Sequence, residues 1–181
     1  MRILISQIEY SRPPRNFVFD GLERSYYKLF TGHDLIPVPN LVKVPYNDYD
    51  CLVLTGGPDS TARHETENLL YQNAIKNNKP ILGICHGAFA INDICGGTNG
   101  YIANHVDADI EITMEGKKHI VKCFHSQAIN VLGRNFIPLA HDTDGNIEAF
   151  KHTTLEIYGV LWHPERMEVP VLPSEVIELF D

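Results

Sequence analysis

Short apolar runs alternate with helical periodicities along the first half of the chain. Arg2–Ile8, Cys51–Thr55 and Pro80–Ile84 are rich in aliphatic side chains, which predicts buried strands. His64–Asn77 and Cys85–Cys95 place apolar residues at helical spacing, which predicts two helices. Strands that alternate with helices predict an α/β fold built around a parallel sheet.

The segment between the first two of these strands is less regular. Phe19–Phe30 has aromatic and leucine side chains at helical spacing, with Gly32 as a stop, and predicts a further helix. The prolines of Ser11–Pro14 predict a loop, and Leu35–Pro39 is predicted as a short strand.

The second half of the chain changes to a pattern of short strands. Asp109–Met114 and His119–Phe124 flank Gly116 and predict a hairpin. Because no repeat or linker interrupts the pattern, we expect a single domain over residues 1–181, with α/β/α layers and a mixed, mostly parallel sheet. The other elements predicted in this half are strands at Phe136–His141, Ile147–Phe150 and Ile157–Trp162 and a helix at Pro173–Phe180.

Composition and charge narrow the class of protein. The chain has 181 residues, 44% hydrophobic and 21% charged, which is typical of a globular domain. Its net charge of −8 disfavours a nucleic-acid binder, and no apolar run approaches the about 20 residues that cross a bilayer. Scattered cysteines without a CxxC pair favour a reduced, cytoplasmic setting. Cys123 and His125 lack a second ligand pair at zinc spacing, so we expect neither a metal nor a cofactor.

Gly83-Ile84-Cys85-His86-Gly87 is the strongest local signal of chemistry. It lies between a predicted strand and a predicted helix, where a nucleophile is exposed on a tight turn that needs small neighbours. The start of the helix favours a thiolate at Cys85, and its N–H groups can hold an oxyanion. A buried structural cysteine is the alternative interpretation.

Two further segments supply candidate partners for this thiol. His163 follows a predicted strand, and Glu165 lies two residues on, so the pair can serve as a base and the group that orients it. Gly56-Gly57 follows another predicted strand and lets backbone N–H groups approach a ligand closely. Taken singly, an exposed polar turn and an ordinary glycine turn are the alternatives.

Together these segments resemble the class I glutamine amidotransferase superfamily, and in particular its γ-glutamyl hydrolase branch. The resemblance covers nearly the whole chain. It is carried by the oxyanion-strand motif Thr55–Gly57, the nucleophile motif Gly83–Gly87, the substrate-binding motif Phe124–Ile129, the Asp-Gly-x-x-Glu-Ala motif Asp144–Ala149 and the catalytic-strand motif Gly159–Glu165.

This resemblance implies a flavodoxin-like fold and a Cys85–His163–Glu165 triad. The implied reaction is hydrolysis of a γ-glutamyl amide through a γ-glutamyl thioester, with the backbone amides of Gly57 and His86 holding the oxyanion. The substrate-binding positions that it implies are Gly56, Phe89, His125, Ser126 and Gln127.

Asn146–His152 and Trp162–Arg166 resemble most the γ-glutamyl-CDP-amidate hydrolase group, which acts in the assembly of surface-polysaccharide phosphoramidates. The implied leaving group is a nucleotide phosphoramidate. Phe89 stands where many family members have a glutamine residue that helps to bind the glutamine substrate, so we expect a conjugate larger than glutamine. Because Phe89 lies on an apolar predicted helix, we interpret its side chain as a core residue with one edge toward the substrate. Basic residues that would suit its pyrophosphate are Arg2, Arg12, Arg15 and Arg24, and a solvated charged face is the alternative interpretation.

Other functions stay open at this point. The chain would act as a glutaminase subunit if it passed ammonia to a separate synthetase. It would be a binding module if the site were a relic. His86 after Cys85 also resembles the intracellular-protease/glyoxalase III superfamily, but that superfamily lacks the His163-Pro164-Glu165 feature.

Overall fold

A large mixed sheet runs through the molecule. The computed structural model describes residues 1–12, 14, 17–41 and 46–181. The strands are β1 Arg2–Ser6, β2 Ile8–Arg12, β3 Phe17–Gly21, β4 Asp34–Val38, β5 Cys51–Leu54, β6 Ile81–Ile84, β7 Thr98–Tyr101, β8 Val106–Met114, β9 Lys117–Phe124, β10 Gln127–Val131, β11 Phe136–Asp142, β12 Ile147–His152 and β13 Ile157–Val160. The helices are α1 Arg24–Leu29, α2 Thr61–Lys76, α3 His86–Ile94 and α4 Ser174–Phe180, with a 3₁₀ turn at Pro164–Arg166.

The described part of the main sheet has nine strands in the order β4-β1-β5-β6-β13-β12-β11-β8-β9. The first five are parallel, and their arrangement in chain order, 2-1-3-4-5, is that of flavodoxin-like folds. From β13 onward each neighbour is antiparallel. The predicted α/β fold with a mixed sheet is confirmed.

Each face of the sheet carries its own apolar core. Successive side chains of a strand point to opposite faces, so Ile3 and Ile5 of β1 pack with α1 and α4, whereas Leu4 packs with α2 and α3. This gives the three α/β/α layers. Across the described residues, no helix is both long and apolar enough to cross a membrane.

The N-terminal region differs from the prediction. Phe17–Gly21 is not helical but forms a hairpin with Ile8–Arg12, in which Phe19 lies opposite Tyr10. Helix α1 is therefore shorter than the predicted Phe19–Phe30. The run Phe17-Val18-Phe19 has aromatic and β-branched residues that favour a strand, and pairing with β2 outweighs the helical spacing. The predicted loop Ser11–Pro14 is strand at its start, and Pro13 lies outside the described residues.

A second small sheet, absent from the predicted elements, pairs β7 with β10 in antiparallel orientation. It carries the predicted substrate-binding residue Gln127 opposite Tyr101. Helix α2 begins at Thr61, three residues before the predicted start, because the Ser60 side chain accepts a hydrogen bond from the Arg63 N–H and caps it.

Gly83 and Gly87 allow the turn between β6 and α3 to pack tightly. A Cβ at Gly83 would lie 2.7 Å from the backbone nitrogen of Ala88, and a Cβ at Gly87 would collide with the Leu54 carbonyl. Backbone lies on both sides, so no flexible side chain can yield. The turn that presents Cys85 therefore requires glycine at both flanks.

We expect Gly83→Ala to lower the free energy of unfolding by about 1–3 kcal/mol, because the added methyl group overpacks fixed backbone. Urea denaturation of the two proteins measures this difference. Gly21→Ala is the matched control, since its Cβ would meet only the movable ring of Tyr10 at 3.1 Å. Equal losses for both variants would contradict the packing argument.

Candidate active site

The carboxyl ends of the parallel strands meet at one edge of the sheet. Thr55 follows β5, Cys85 follows β6, and His163 lies shortly after β13. In open α/β sheets this edge is where ligands bind. Three segments that are far apart in the sequence are thus brought together by strand order alone.

Cys85 has a strained backbone, with φ 49° and ψ −107° in a non-glycine residue. Its N–H donates to the Val160 carbonyl at 2.8 Å, and its carbonyl accepts from the N–H groups of Ala88 and Phe89. These bonds hold the turn in place. The residue is 6% exposed, so little of it is open to solvent.

His163 lies between Cys85 and Glu165. Its Nδ1 is 2.6 Å from Glu165 Oε1, and its ring lies beside the Cys85 side chain, since a Cβ at Gly56 would meet both. Both His163 and Glu165 are buried, and the 3₁₀ turn that begins at Pro164 folds the carboxylate back onto the imidazole. The arrangement is a thiol, a base and a group that orients the base.

The pKa of His163 is set by opposing effects. Burial lowers it, but the interactions with Cys85 and with the Glu165 carboxylate outweigh burial and raise the pKa from 6.5 to about 9. The imidazole is then protonated at neutral pH. An imidazolium next to a cysteine stabilises a thiolate, which is the nucleophilic form.

Gly56 and Gly57 form the loop that faces this pair. A Cβ at Gly56 would lie 2.6 Å from His163 Cε1 and 3.4 Å from Cys85 Cβ, so the bare backbone fits between them. Gly57 has φ +117°, a conformation that favours glycine. The N–H of Gly56 donates to the Tyr26 hydroxyl at 2.9 Å and is occupied. Within the described chain the Gly57 N–H has no such partner.

Tyr26 did not emerge from the sequence as a site residue. It is buried on α1, and burial, reinforced by the nearby Glu165 carboxylate, raises the pKa of its phenol well above 10. The phenol therefore stays neutral and fixes one amide of the glycine loop. Tyr26 lies far from the other motifs in the sequence, so no sequence pattern predicts this contact.

Arg63 and Glu67, also missed, form a buried ion pair behind the same loop. The guanidinium of Arg63 donates to the carbonyls of Thr55, Gly56 and Pro58, and its Nε is 2.9 Å from Glu67 Oε1. Their i,i+4 spacing on α2 was the available signal, but nothing in the sequence marked the pair as buried.

Glu67 connects the Arg63 side chain to the turn that carries Cys85. Its second oxygen lies 3.0 Å from Nε2 of His86, the residue after Cys85. Burial acts to raise the pKa of Glu67, but the His86 hydrogen bond and the Arg63 charge outweigh it and lower the pKa. The carboxylate thus stays ionised and ties the glycine loop to the first turn of α3.

The predicted substrate contacts have different surroundings. Phe89 is buried in the core and meets the His125 ring edge-on at a centroid distance of 5.6 Å. His125 is also buried, with Nδ1 2.8 Å from the Gln127 carbonyl. Ser126 and Gln127 are exposed. The structure therefore brings Phe89 and His125 together but leaves Phe89 little surface for a ligand.

The predicted basic residues are spread over several elements: Arg12 ends β2 and Arg24 begins α1, and both are exposed. Arg2 begins β1, at the sheet edge opposite the site, and pairs with Asp48. Arg15 lies outside the described residues. Arg166 is a cation beside the site, with its guanidinium over the Phe124 ring at 4.7 Å and bonded to Glu23.

Comparison with known proteins shows the family to which this chain belongs. The model of the family described as glutamine amidotransferase class-I matches residues 20–171, and the chain belongs to that family. It is an enzyme of the class that acts on the carbon–nitrogen bond of γ-glutamyl amides.

Individual relatives carry two different names. The chain is 30% identical over 156 residues to a γ-glutamyl-CDP-amidate hydrolase from Campylobacter jejuni, covering 79% of this chain and 75% of that protein. It is 34% identical over 140 residues to the glutamine-hydrolyzing GMP synthase subunit of Methanosarcina acetivorans, covering 71% and 72%. The crystal structure of a proposed GMP synthase subunit from Thermoplasma acidophilum superimposes with a TM-score of 0.75 at 22% identity over 99% of this chain and 92% of that one, which confirms the flavodoxin-like fold.

The raised pKa of His163 gives a direct prediction. NMR titration of the wild-type imidazole is expected to give a pKa of about 9, and Glu165→Gln is expected to lower it because the carboxylate charge is lost. Since the folded pKa lies above 6.5, the stability this group contributes is fully present below pH 6.5 and is lost as the pH rises through 9. Glu168→Gln, at an exposed position, is the control and should leave the titration unchanged. A wild-type pKa at or below 6.5 would contradict the coupling.

Proposed function

We propose that this protein is a cysteine hydrolase that releases glutamate from a γ-glutamyl conjugate. The observation that carries the proposal is the strained Cys85 turn held against His163, whose other side is bonded to Glu165. The match to the glutamine amidotransferase class-I family supports the same chemistry.

In the first half of the proposed reaction, the Cys85 thiolate attacks the δ-carbonyl carbon of the γ-glutamyl group. The carbonyl oxygen takes up negative charge and is held by the N–H groups of Gly57 and His86. The protonated His163 then gives its proton to the amide nitrogen as the carbon–nitrogen bond breaks. The amine leaves, and a γ-glutamyl thioester remains on Cys85.

In the second half, neutral His163 takes a proton from water, which attacks the thioester carbon. The carbon–sulfur bond breaks, glutamate leaves, and the Cys85 thiolate and His163 imidazolium are restored. Glu165 keeps the imidazole in one orientation and stabilises its charge through both halves. The Arg63–Glu67 pair acts at a distance, because it fixes the carbonyls of the glycine loop and so aims the Gly57 N–H.

We further propose that the leaving group is larger than ammonia. At the position of Phe89, many family members have a glutamine residue whose side chain contacts the glutamine substrate. Here the Phe89 side chain is packed into the core instead. The hydrolase relative from Campylobacter jejuni supports a γ-glutamyl nucleotide phosphoramidate as the substrate. As the resemblance of Asn146–His152 and Trp162–Arg166 implies, the enzyme would then act in surface-polysaccharide synthesis in the cytoplasm.

A second function is favoured by a specific observation. The GMP synthase relative is 34% identical, and its name denotes a glutamine-hydrolysing subunit. The chain would then release ammonia from glutamine for a separate synthetase. A glyoxalase-type reaction has less support, because the His86 ring is bonded to Glu67, whereas the His163 ring lies beside the Cys85 side chain.

The deciding experiment is glutamate release by the purified protein alone, with L-glutamine compared with γ-glutamyl conjugates that include a γ-glutamyl nucleotide phosphoramidate. We expect rapid release from one conjugate and little from glutamine. Cys85→Ala should reduce turnover by at least about 10⁴-fold, because the nucleophile is lost.

Cys95→Ala is the matched control, since Cys95 bonds Tyr71 well away from the nucleophile and should leave turnover unchanged. Release from glutamine that rises only with an added synthetase would replace the first function by the second. Full turnover by Cys85→Ala would exclude both.

A further inference from the structure

A buried group of five potential ligand side chains lies beside the active site, and only one of them, the predicted substrate contact His125, has been given a role so far. His105 precedes β8, Cys123 and His125 lie at the end of β9, and Asp142 and Glu148 belong to β11 and β12. All five are buried, and we call them the His-carboxylate cluster. They come from four separate segments, so only the fold brings them together.

The two histidines have fixed tautomers. Nδ1 of His105 is 3.1 Å from the Ala103 carbonyl, and Nδ1 of His125 is 2.8 Å from the Gln127 carbonyl. A carbonyl oxygen can only accept, so each Nδ1 carries the proton. In the neutral ring, Nε2 then presents a lone pair. In metal sites, the histidine ring nitrogen that does not bind the metal often donates its N–H to a backbone carbonyl, and this bond orients the ring.

Those Nε2 atoms face oxygen atoms that also accept. His105 Nε2 lies 3.3 Å from Asp142 Oδ2 and 3.4 Å from Glu148 Oε1, and His125 Nε2 lies 3.6 Å from Glu148 Oε2. Neither Nε2 has a hydrogen-bond partner among the described residues, although both atoms are fully buried. A buried lone pair that faces a buried carboxylate oxygen is unfavourable unless a positive charge lies between the two atoms.

The spacing suits a metal ion. Ligands about 2.0 Å from a tetrahedral zinc lie roughly 3.3 Å from one another. His105 Nε2 meets both carboxylate oxygens at that separation, and the three ligand atoms all lie within 4.8 Å of one another. Imidazole and carboxylate are both common zinc ligands.

We propose that His105, Asp142 and Glu148 bind one divalent transition-metal ion of the zinc type. The Asp142 carboxylate is oriented by three hydrogen bonds. Its Oδ1 accepts hydrogen bonds from the backbone N–H groups of Asp144 and Asn146, and its Oδ2 accepts one from the Asn146 side-chain amide. The other Glu148 oxygen faces His125 at 3.6 Å and Cys123 at 3.9 Å, which form the outer side of the site.

The ion fastens the strands on which the catalytic histidine depends. The Glu148 carbonyl accepts the N–H of Leu161 on the segment leading to His163. The N–H of His163 itself donates to the carbonyl of Lys122, the residue before Cys123. The site is thus structural, because its ligands on β11 and β12 lie beyond β13 from the strand β6 that leads to Cys85, and none of them is Cys85, His163 or Glu165.

The test is metal content of the untagged, full-length protein by inductively coupled plasma mass spectrometry, before and after dialysis against zinc sulfate and removal of excess. We expect about one zinc per chain. Anomalous scattering at the zinc edge should place the ion among His105, Asp142 and Glu148. A chelator should lower the melting temperature of this protein.

His105→Gln is expected to weaken zinc binding at least about tenfold and to abolish the chelator effect. Asp142→Asn, which keeps the turn geometry, serves as a second variant if His105→Gln folds poorly. His119→Gln, a half-buried histidine of β9 outside the cluster, should retain the metal. Protein that takes up no zinc, or zinc that His105→Gln leaves in place, would overturn the proposal.

Discussion

The left-handed backbone of Cys85 is the constraint around which the site is built. A non-glycine residue holds φ 49° only when its surroundings leave no alternative, and here strand β13, helix α3 and two glycines supply that restraint. The same turn aims the side chain at His163 and places the first N–H groups of α3 beside it. The chemistry and the strain are therefore properties of one local structure, which exists only when the parallel strands are in register.

A buried polar network extends this restraint to the opposite wall of the site. Arg63 is fully buried, yet its donors reach carbonyls of the glycine loop and one carboxylate oxygen of Glu67. Glu67 also accepts from Ser6 at 2.8 Å, so β1 is included as well. The free-energy cost of burying these charges is offset because each charge is paired with an opposite charge. In the proposed reaction, the network would fix the position of the oxyanion without touching the substrate itself.

The local motifs could be read from the sequence, whereas contacts between distant segments could not. Gly83–Gly87 and His163-Pro164-Glu165 specify their geometry within a few residues, because glycine and proline restrict the backbone directly. Arg63 and the His-carboxylate cluster depend on side chains that only the sheet order brings together. The β2–β3 hairpin escaped prediction for the same reason, since pairing with a partner strand outweighed local helical spacing at Phe19.

The acyl-enzyme is the most direct test of the account. The protein would be mixed with a γ-glutamyl substrate, quenched in acid within its first turnover, digested and mapped by mass spectrometry. We expect one γ-glutamyl group, bound as a thioester on the peptide that contains Cys85, and its absence from Cys85→Ala. Turnover of that substrate with the γ-glutamyl group found on another residue would contradict the account.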